Sequence, residues 1–219
     1  MRMPTILLSA VLVAAGHHAA ATAKPTCGMI DAAISSTEDF AEVVAGSDSA
    51  ATAAALAAIG AGFDAVKSSL PEGKSAAVRT RIEEAKTAVA RRDRSEATVA
   101  ALDVYRILVG VFEPRLPTTR AVAMLDHSGF QLQGLAAAAE VDWAAIAATV
   151  KEAGENWANS KKLIKDKALL DLGDSVQTGL VNATDAKSKG WLTSLAQIQL
   201  DSVDLLERVV KNKSKGACL

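Results

Sequence analysis

The stretch LTSLAQIQLDSVDLLERVV (192–210) decides the fold. Leu192, Leu195, Gln199, Val203, Leu206 and Val210 recur at alternating steps of three and four. That is the period of an α-helix with one buried stripe, here a bundle seam carrying a single polar member. A helix of this kind cannot bury its stripe alone, so it requires partner helices of the same type.

The rest of the chain supplies them. It is rich in Ala, the best helix former, and nearly free of strand-like alternation. Punctuation by Gly, Pro and Ser/Asp caps divides it into about seven or eight amphipathic helices. The periodicity predicts helices over about 26–45, 48–70, 75–92, 95–112, 118–139, 142–165, 167–181 and 184–210. Ser95 is the expected cap of the fourth. The reading is an all-α helical bundle. Pro114-Arg115-Leu116-Pro117 is the clearest break, because two prolines in four residues cannot continue a helix. A boundary at 113–118 divides the single domain, 24–219, into two packed sub-bundles. There is also an echo: Leu102-Asp103 and Leu200-Asp201 each open a run of apolar residues at matching offsets. Two amphipathic helices often match this well by chance.

The N-terminus speaks to location. Arg2, the apolar run over 6–15 and the small residues Ala21-Thr22-Ala23 have the layout of a cleaved secretory signal peptide spanning 1–23. The apolar run is too short to span a bilayer, and no transmembrane segment is expected in the remainder. The mature chain then has 23 basic residues against 25 acidic, so its net charge gives no general reason to bind nucleic acid. An exported protein with two cysteines, Cys27 and Cys218, is expected to join them in a disulfide. A bridge closing so long a loop constrains the unfolded chain by about 5 kcal/mol in the chain-entropy account.

Several short motifs lose their meaning in a helical context. Gly60-Ala61-Gly62-Phe63-Asp64-Ala65 matches a dinucleotide fingerprint only in its letters, because no strand precedes it. Its glycines are read as points of close helix packing. Gly173-Asp174-Ser175 is similar to the nucleophile block of GDSL-type hydrolases, but no strand precedes it and no Asp-x-x-His follows. It is read as a loop or kink. Leu192-Thr193-Ser194-Leu195-Ala196 is similar to the Leu-Thr-x-x-Gln motif of periplasmic helical stress chaperones, with Ala in place of Gln. Trp143, Trp157 and Trp191 are expected as core anchors between Ala-rich helices.

The absence of Cys-x-x-Cys-His excludes c-type haem. A b-type haem would need His127 with Met29 opposite, since Met124 shares a helix face with His127. A metal ion is the more open expectation. His127 is the only imidazole after residue 23, and Asp126 beside it, with Asp103 or Asp201 from facing helices, would complete the coordination. The reading is a periplasmic or secreted, non-enzymatic binding protein holding a metal ion or small ligand between helices. The alternative is a structural or interaction module of the envelope, without a bound cofactor. Mass spectrometry of the exported chain should find Lys24 first, with reduction adding the mass of two hydrogens. A chain retaining residues 1–23, or two alkylatable thiols before reduction, contradicts the reading.

Overall fold

The helices of this chain are set by their ends. The structure is a computed structural model that describes residues 24–46, 49–116 and 118–210. Residues 1–23 and Cys218 lie outside the described residues. Thr26, Asp93, Thr119, Asp142 and Asp166 each stand just before a helix, and their side-chain oxygens accept from backbone N–H groups of its first turn. These are orphan donors that the helix itself cannot satisfy. They start α1 (Cys27–Ala45), α4 (Arg94–Phe112), α5 (Arg120–Ala137), α6 (Trp143–Ser160) and α7 (Lys167–Asp185). The remaining elements are α2 (Ser49–Val66), α3 (Glu72–Ala90) and α8 (Lys189–Val209).

Among the described residues there are eight α-helices and no strand, so the all-α expectation holds. Several boundaries differ from the sequence reading, with α3 starting at Glu72, α6 ending at Ser160 and α7 running to Asp185, and two of the differences have a clear local cause. The cap of α4 is Asp93, not Ser95, because the Asp93 carboxylate accepts from Glu96 N at 3.0 Å. Helix α8 begins at Lys189, not near residue 184, because α7 ends in a left-handed turn at Lys187 (φ 49°). Ser188 N donates back to the Ala183 carbonyl at 2.9 Å and closes that turn.

The same turn ends α3. Arg92 has φ 59°, and Asp93 N donates to the Ala88 carbonyl at 2.9 Å. Arg92 and Lys187 are 95 positions apart, and the coincidence extends to the whole fold. The order helix, helix, 3-10 turn, helix, helix occurs twice, with 3-10 turns at Lys67–Ser69 and Lys161–Leu163. In α1–α4, α1 packs on α2 and α4, and α3 packs on α4. In α5–α8, α5 packs on α6 and α8, and α7 packs on α8. Burial follows the repeat. Leu56, Ile59, Phe63 and Leu70 are buried, and so are Val150, Ala153, Trp157 and Ile164, each 94 positions on. Ala97, Ala101 and Leu108 match Leu192, Ala196 and Val203 at 95. The sequence echo between Leu102 and Leu200 therefore had its register wrong by three residues. Three residues is nearly a helical turn, so both registers set apolar against apolar.

Helix α5 joins the two units, packing on α4 and α1 as well as on α6 and α8. By length and composition Ser49–Ser69 is apolar enough to cross a membrane, but Leu56, Ile59, Phe63 and Val66 are buried in the first unit. The Gly173 block is no loop: it lies inside α7, where Gly173 lies under the Trp157 ring and Asp174 accepts from Trp157 Nε1 at 2.7 Å. Trp191 departs from the anchor reading, being 45% exposed.

Gly60 and Gly62 also part ways. A Cβ on Gly62 would stand 2.8 Å from Ala33 Cα in α1, whereas a Cβ on Gly60 meets nothing within 4 Å. Of these two, Gly62 alone is a close-packing glycine. Gly60→Ala should therefore stabilise by about 0.5–1 kcal/mol through helix propensity. Gly62→Ala should cost about 1–3 kcal/mol through overpacking against backbone. Denaturant unfolding of both variants checks this, and equal effects would mean that α1 and α2 are farther apart than described.

Candidate functional site

Helices α1 and α8 both pack on α5 but make no extensive contact with each other. The space between them is a cleft with α5 as its floor. Along α1, Asp31, Ser35, Glu38 and Glu42 recur at steps of four and three, so they share one face. Along α8, Asp201, Asp204 and Glu207 form the opposite wall. Asp126 and Phe130 come up from the floor. The cleft holds two cavities. One, of about 280 Å³, is bordered by Asp31, Glu38, Tyr105, Leu116 and Glu207. The other, of about 330 Å³, is bordered by Glu42, Asp126, Phe130, Gln133, Asp201 and Asp204.

Glu38 and Asp126 meet between these cavities and share a hydrogen bond. Two carboxylates cannot both ionise at such range without cost. Burial first, then the Glu38 charge and hydrogen bond, holds the Asp126 carboxyl well above the usual range, and Glu207 and Asp204 push it further. Burial likewise raises Glu38. Tyr105, fully buried from α4, donates its hydroxyl proton to the Ala123 carbonyl at 2.9 Å, and its oxygen stays within reach of Glu38. Burial and the Glu38 and Asp126 charges hold this phenol well above its ordinary value, so it stays neutral.

The repeat explains why the cleft is open. Exchanging the two units turns the α4–α5 contact into an α8–α1 contact. On α4, Leu102, Val109 and Phe112 are buried. Their counterparts 95 positions on are Gln197, Asp204 and Glu207, all exposed. The apolar seam of one pair is a polar, acidic gap in the other, and the like charges across it oppose closure.

The four metal-ligand candidates are only partly gathered. Asp126 and Asp201 border the same cavity. Asp103 is elsewhere, paired with Arg81 Nε at 3.1 Å. His127 is 1% exposed, and its ring stacks on Tyr105 at 5.9 Å between centroids. Neither ring nitrogen has a hydrogen-bond partner among the described residues; the Leu102 backbone lies close but outside hydrogen-bond geometry. Burial, with the nearby Arg106 charge, lowers its pKa to about 3, so it is neutral. The step of 100° per residue along α5 turns Asp126 to the cleft and His127 to α4. Among the described residues, no group of three or more His, Cys, Asp or Glu is placed to hold a metal ion. The haem pairing of His127 with Met29 also lacks geometry, since Tyr105 covers the His127 ring and Met29 is on the surface of α1. Glu38 and Glu207 were missed in the sequence. The signal was the polar stripe 31, 35, 38, 42 on α1, which reads as an ordinary solvated face.

Compared with family models, curated proteins and solved structures, the chain has no significant match.

The carboxyl pair makes stability depend on pH. Asp126 keeps in the folded state a proton that the unfolded chain has already released. The stability from that proton is present below the ordinary carboxylate pKa and drains away as pH rises through the elevated native value. Asp126→Asn should therefore raise stability at pH 8 by about 1 kcal/mol, or roughly 2–4 °C in Tm for a chain this size. The gain should vanish near pH 4. Calorimetric melts across that range check it, and a loss at pH 8 would mean that the pair is stabilising as it stands. His127 works in the opposite direction: its contribution is present above 6.5 and is lost as pH falls towards about 3.

Proposed function

We propose that this chain is an exported, non-catalytic binding protein that holds an elongated organic cation in the α1–α8 cleft. The observation that carries the reading is the open acidic cleft where the repeat-related α4–α5 contact is closed and apolar. Along α1 the acidic wall from Asp31 to Glu42 covers about 16 Å of helix. Carboxylates spread over that length do not suit one metal ion, whose oxygen ligands must stand about 2.0–2.6 Å from it. They do suit a chain with two or more ammonium groups. Leu116, Phe130 and Leu200 line the cleft between the acids and would cover the methylene links. An ammonium bound beside Glu38 and Asp126 takes the place of their shared proton, so affinity falls as pH drops.

Two hydrogen bonds support the disulfide that goes with export. Arg115 donates to the Pro25 carbonyl at 2.6 Å, and the Thr118 hydroxyl donates to the Val210 carbonyl at 3.1 Å. The two ends of the described chain thus meet at the same connection between units. The eight residues from Val210 to Cys218 can reach about 27 Å, enough to bring Cys218 to Cys27 at the start of α1.

Calorimetric titration of the mature chain with spermidine and putrescine, and separately with copper, zinc, calcium and manganese, tests the function. Spermidine should bind in the sub-millimolar range at pH 8. Asp126→Asn with Glu38→Gln should weaken it about tenfold or more, or about 1.4 kcal/mol. His127→Leu should leave it unchanged, because that ring faces α4. No saturable heat with either amine overturns the proposal. A metal ion that binds more tightly than the amines, and is lost in Asp126→Asn, would replace the amine with a metal.

A further inference from the structure

Helix α8 carries a second stripe beside the one that builds the core. Trp191, Leu195, Ile198, Ser202, Leu205 and Val209 recur along it at steps of four and three, and none of them is buried. Five of the six are apolar, with Ile198 41% exposed and Leu205 40%. The stripe faces outward beside α7, where Leu169 and Leu172 border a shallow notch with Ser202. Leu195 is seated on Gly179 of α7, where a Cβ would be 2.9 Å from Leu195 Cδ2.

The first unit provides an internal control. Ala85 and Ala88 of α3 and Leu180 and Ala183 of α7 are buried 95 positions apart, so the offset found for α4 and α8 holds for these helices too. At that offset Trp191 stands for Glu96, Ile198 for Asp103 and Leu205 for Gly110. Val176 stands for Arg81, whose guanidinium bridges to Asp103 at 3.1 Å across the outer α3–α4 face. The outer face of one unit is thus polar and crossed by an ion pair, and that of the other is apolar at the matching positions.

Single exposed apolar residues are ordinary, but a continuous row of them marks an interface. A row at heptad steps is the seam by which one helix pairs with another. The row itself says which helix. Its spacing reads the same from either end, so a two-fold axis level with Leu200 sets it against its own copy. Leu195 then meets Leu205 of the second copy, Trp191 meets Val209, and Ile198 enters the gap that Ser202 leaves. The row is about 27 Å long, and α7 and α8 together are about 20 Å wide. The face covers about 540 Å², or about 1,100 Å² over two copies, which passes the roughly 1,000 Å² that a specific interface needs. Asp204 and Glu207 lie about 100° and 160° round the helix from Leu205, on the cleft side, so pairing leaves the cleft open.

We infer that the outer face of α7 and α8 pairs antiparallel with the same face of a second copy, giving a two-fold dimer. An interface of this modest size gives a weak dimer, with a Kd of about 10–100 μM.

Sedimentation equilibrium of the full mature chain, from about 5 μM to about 500 μM, should show monomer passing into dimer. Ile198→Asp and Trp191→Glu copy the first unit. Each should weaken the dimer at least tenfold and keep its helicity and Tm, because both side chains are exposed. Ser202→Lys should weaken it likewise. An equal mixture of Ile198→Asp and Ser202→Lys chains should dimerise again, because the two new charges are set against each other. Spermidine binding should be the same in Ile198→Asp, which keeps this test apart from that of the cleft. A chain that stays monomeric over the whole range overturns the proposal. So does a dimer indifferent to both Ile198→Asp and Trp191→Glu, which would use another surface. A mixture no more dimeric than its parts overturns the antiparallel pairing. A chain that dimerises only after removal of residues 211–219 overturns the second copy as occupant and assigns the face to that segment.

Discussion

Everything in this fold depends on α5 serving two bundles at once. It can do so because its contact points are small. Leu200 of α8 sits against Gly129, where a Cβ would be 2.6 Å from Leu200 Cδ2. Thr98 of α4 sits against Gly134, where a Cβ would be 2.8 Å from Thr98 Cγ2. With α4 and α8 seated this closely, Leu102, Phe130, Leu200 and Ala41 meet in one apolar cluster that ties the units together. Gln199 secures the α8 side by donating to the Leu125 carbonyl at 2.6 Å and accepting from Gln177 at 3.0 Å. This is the polar member of the seam; its bond to Leu125 is buried and its bond to Gln177 half-buried, and making both is what allows it to be there.

Once α5 is shared, α1 and α8 lie side by side on it with a gap between them. A gap of this kind normally closes over apolar side chains. Here it carries Glu38, Asp126, Asp204 and Glu207, which disfavour closure and gain nothing from the first unit's packing. Within this group the buried pair Glu38 and Asp126 costs stability. Residues that do so are characteristic of sites where binding is set against stability.

The fold was legible in the sequence because it follows from local rules. The seam of α8 and the double proline at Pro114 and Pro117 act within a few residues of themselves, and so do the helix starts read near residues 142 and 167. The repeat was nearly hidden because it is carried by burial and turns, not by identical letters: Phe63 matches Trp157, and Arg92 matches Lys187. The site was legible only in part. Asp126 could be picked out beside the lone His127, and Asp201 as a carboxylate near the edge of an apolar stripe. That His127 turns away from Asp126, and that Glu38 comes to meet it from α1, depends on which helices flank α5. No spacing along the chain encodes that. The tightest neighbour of Asp126 is 88 positions away.

The central claim is that Glu38 and Asp126 share one proton at the floor of an open cleft. Carboxyl carbon NMR of the mature chain, labelled at Asp and Glu and titrated from pH 3 to pH 9, measures it directly. The account predicts that one of the two carboxyls titrates well above the ordinary carboxylate range, and that replacing its partner by the amide returns the other towards that range. Two carboxyls titrating independently near 4 would contradict it, because they would then be apart and solvated, and the cleft would have no focus.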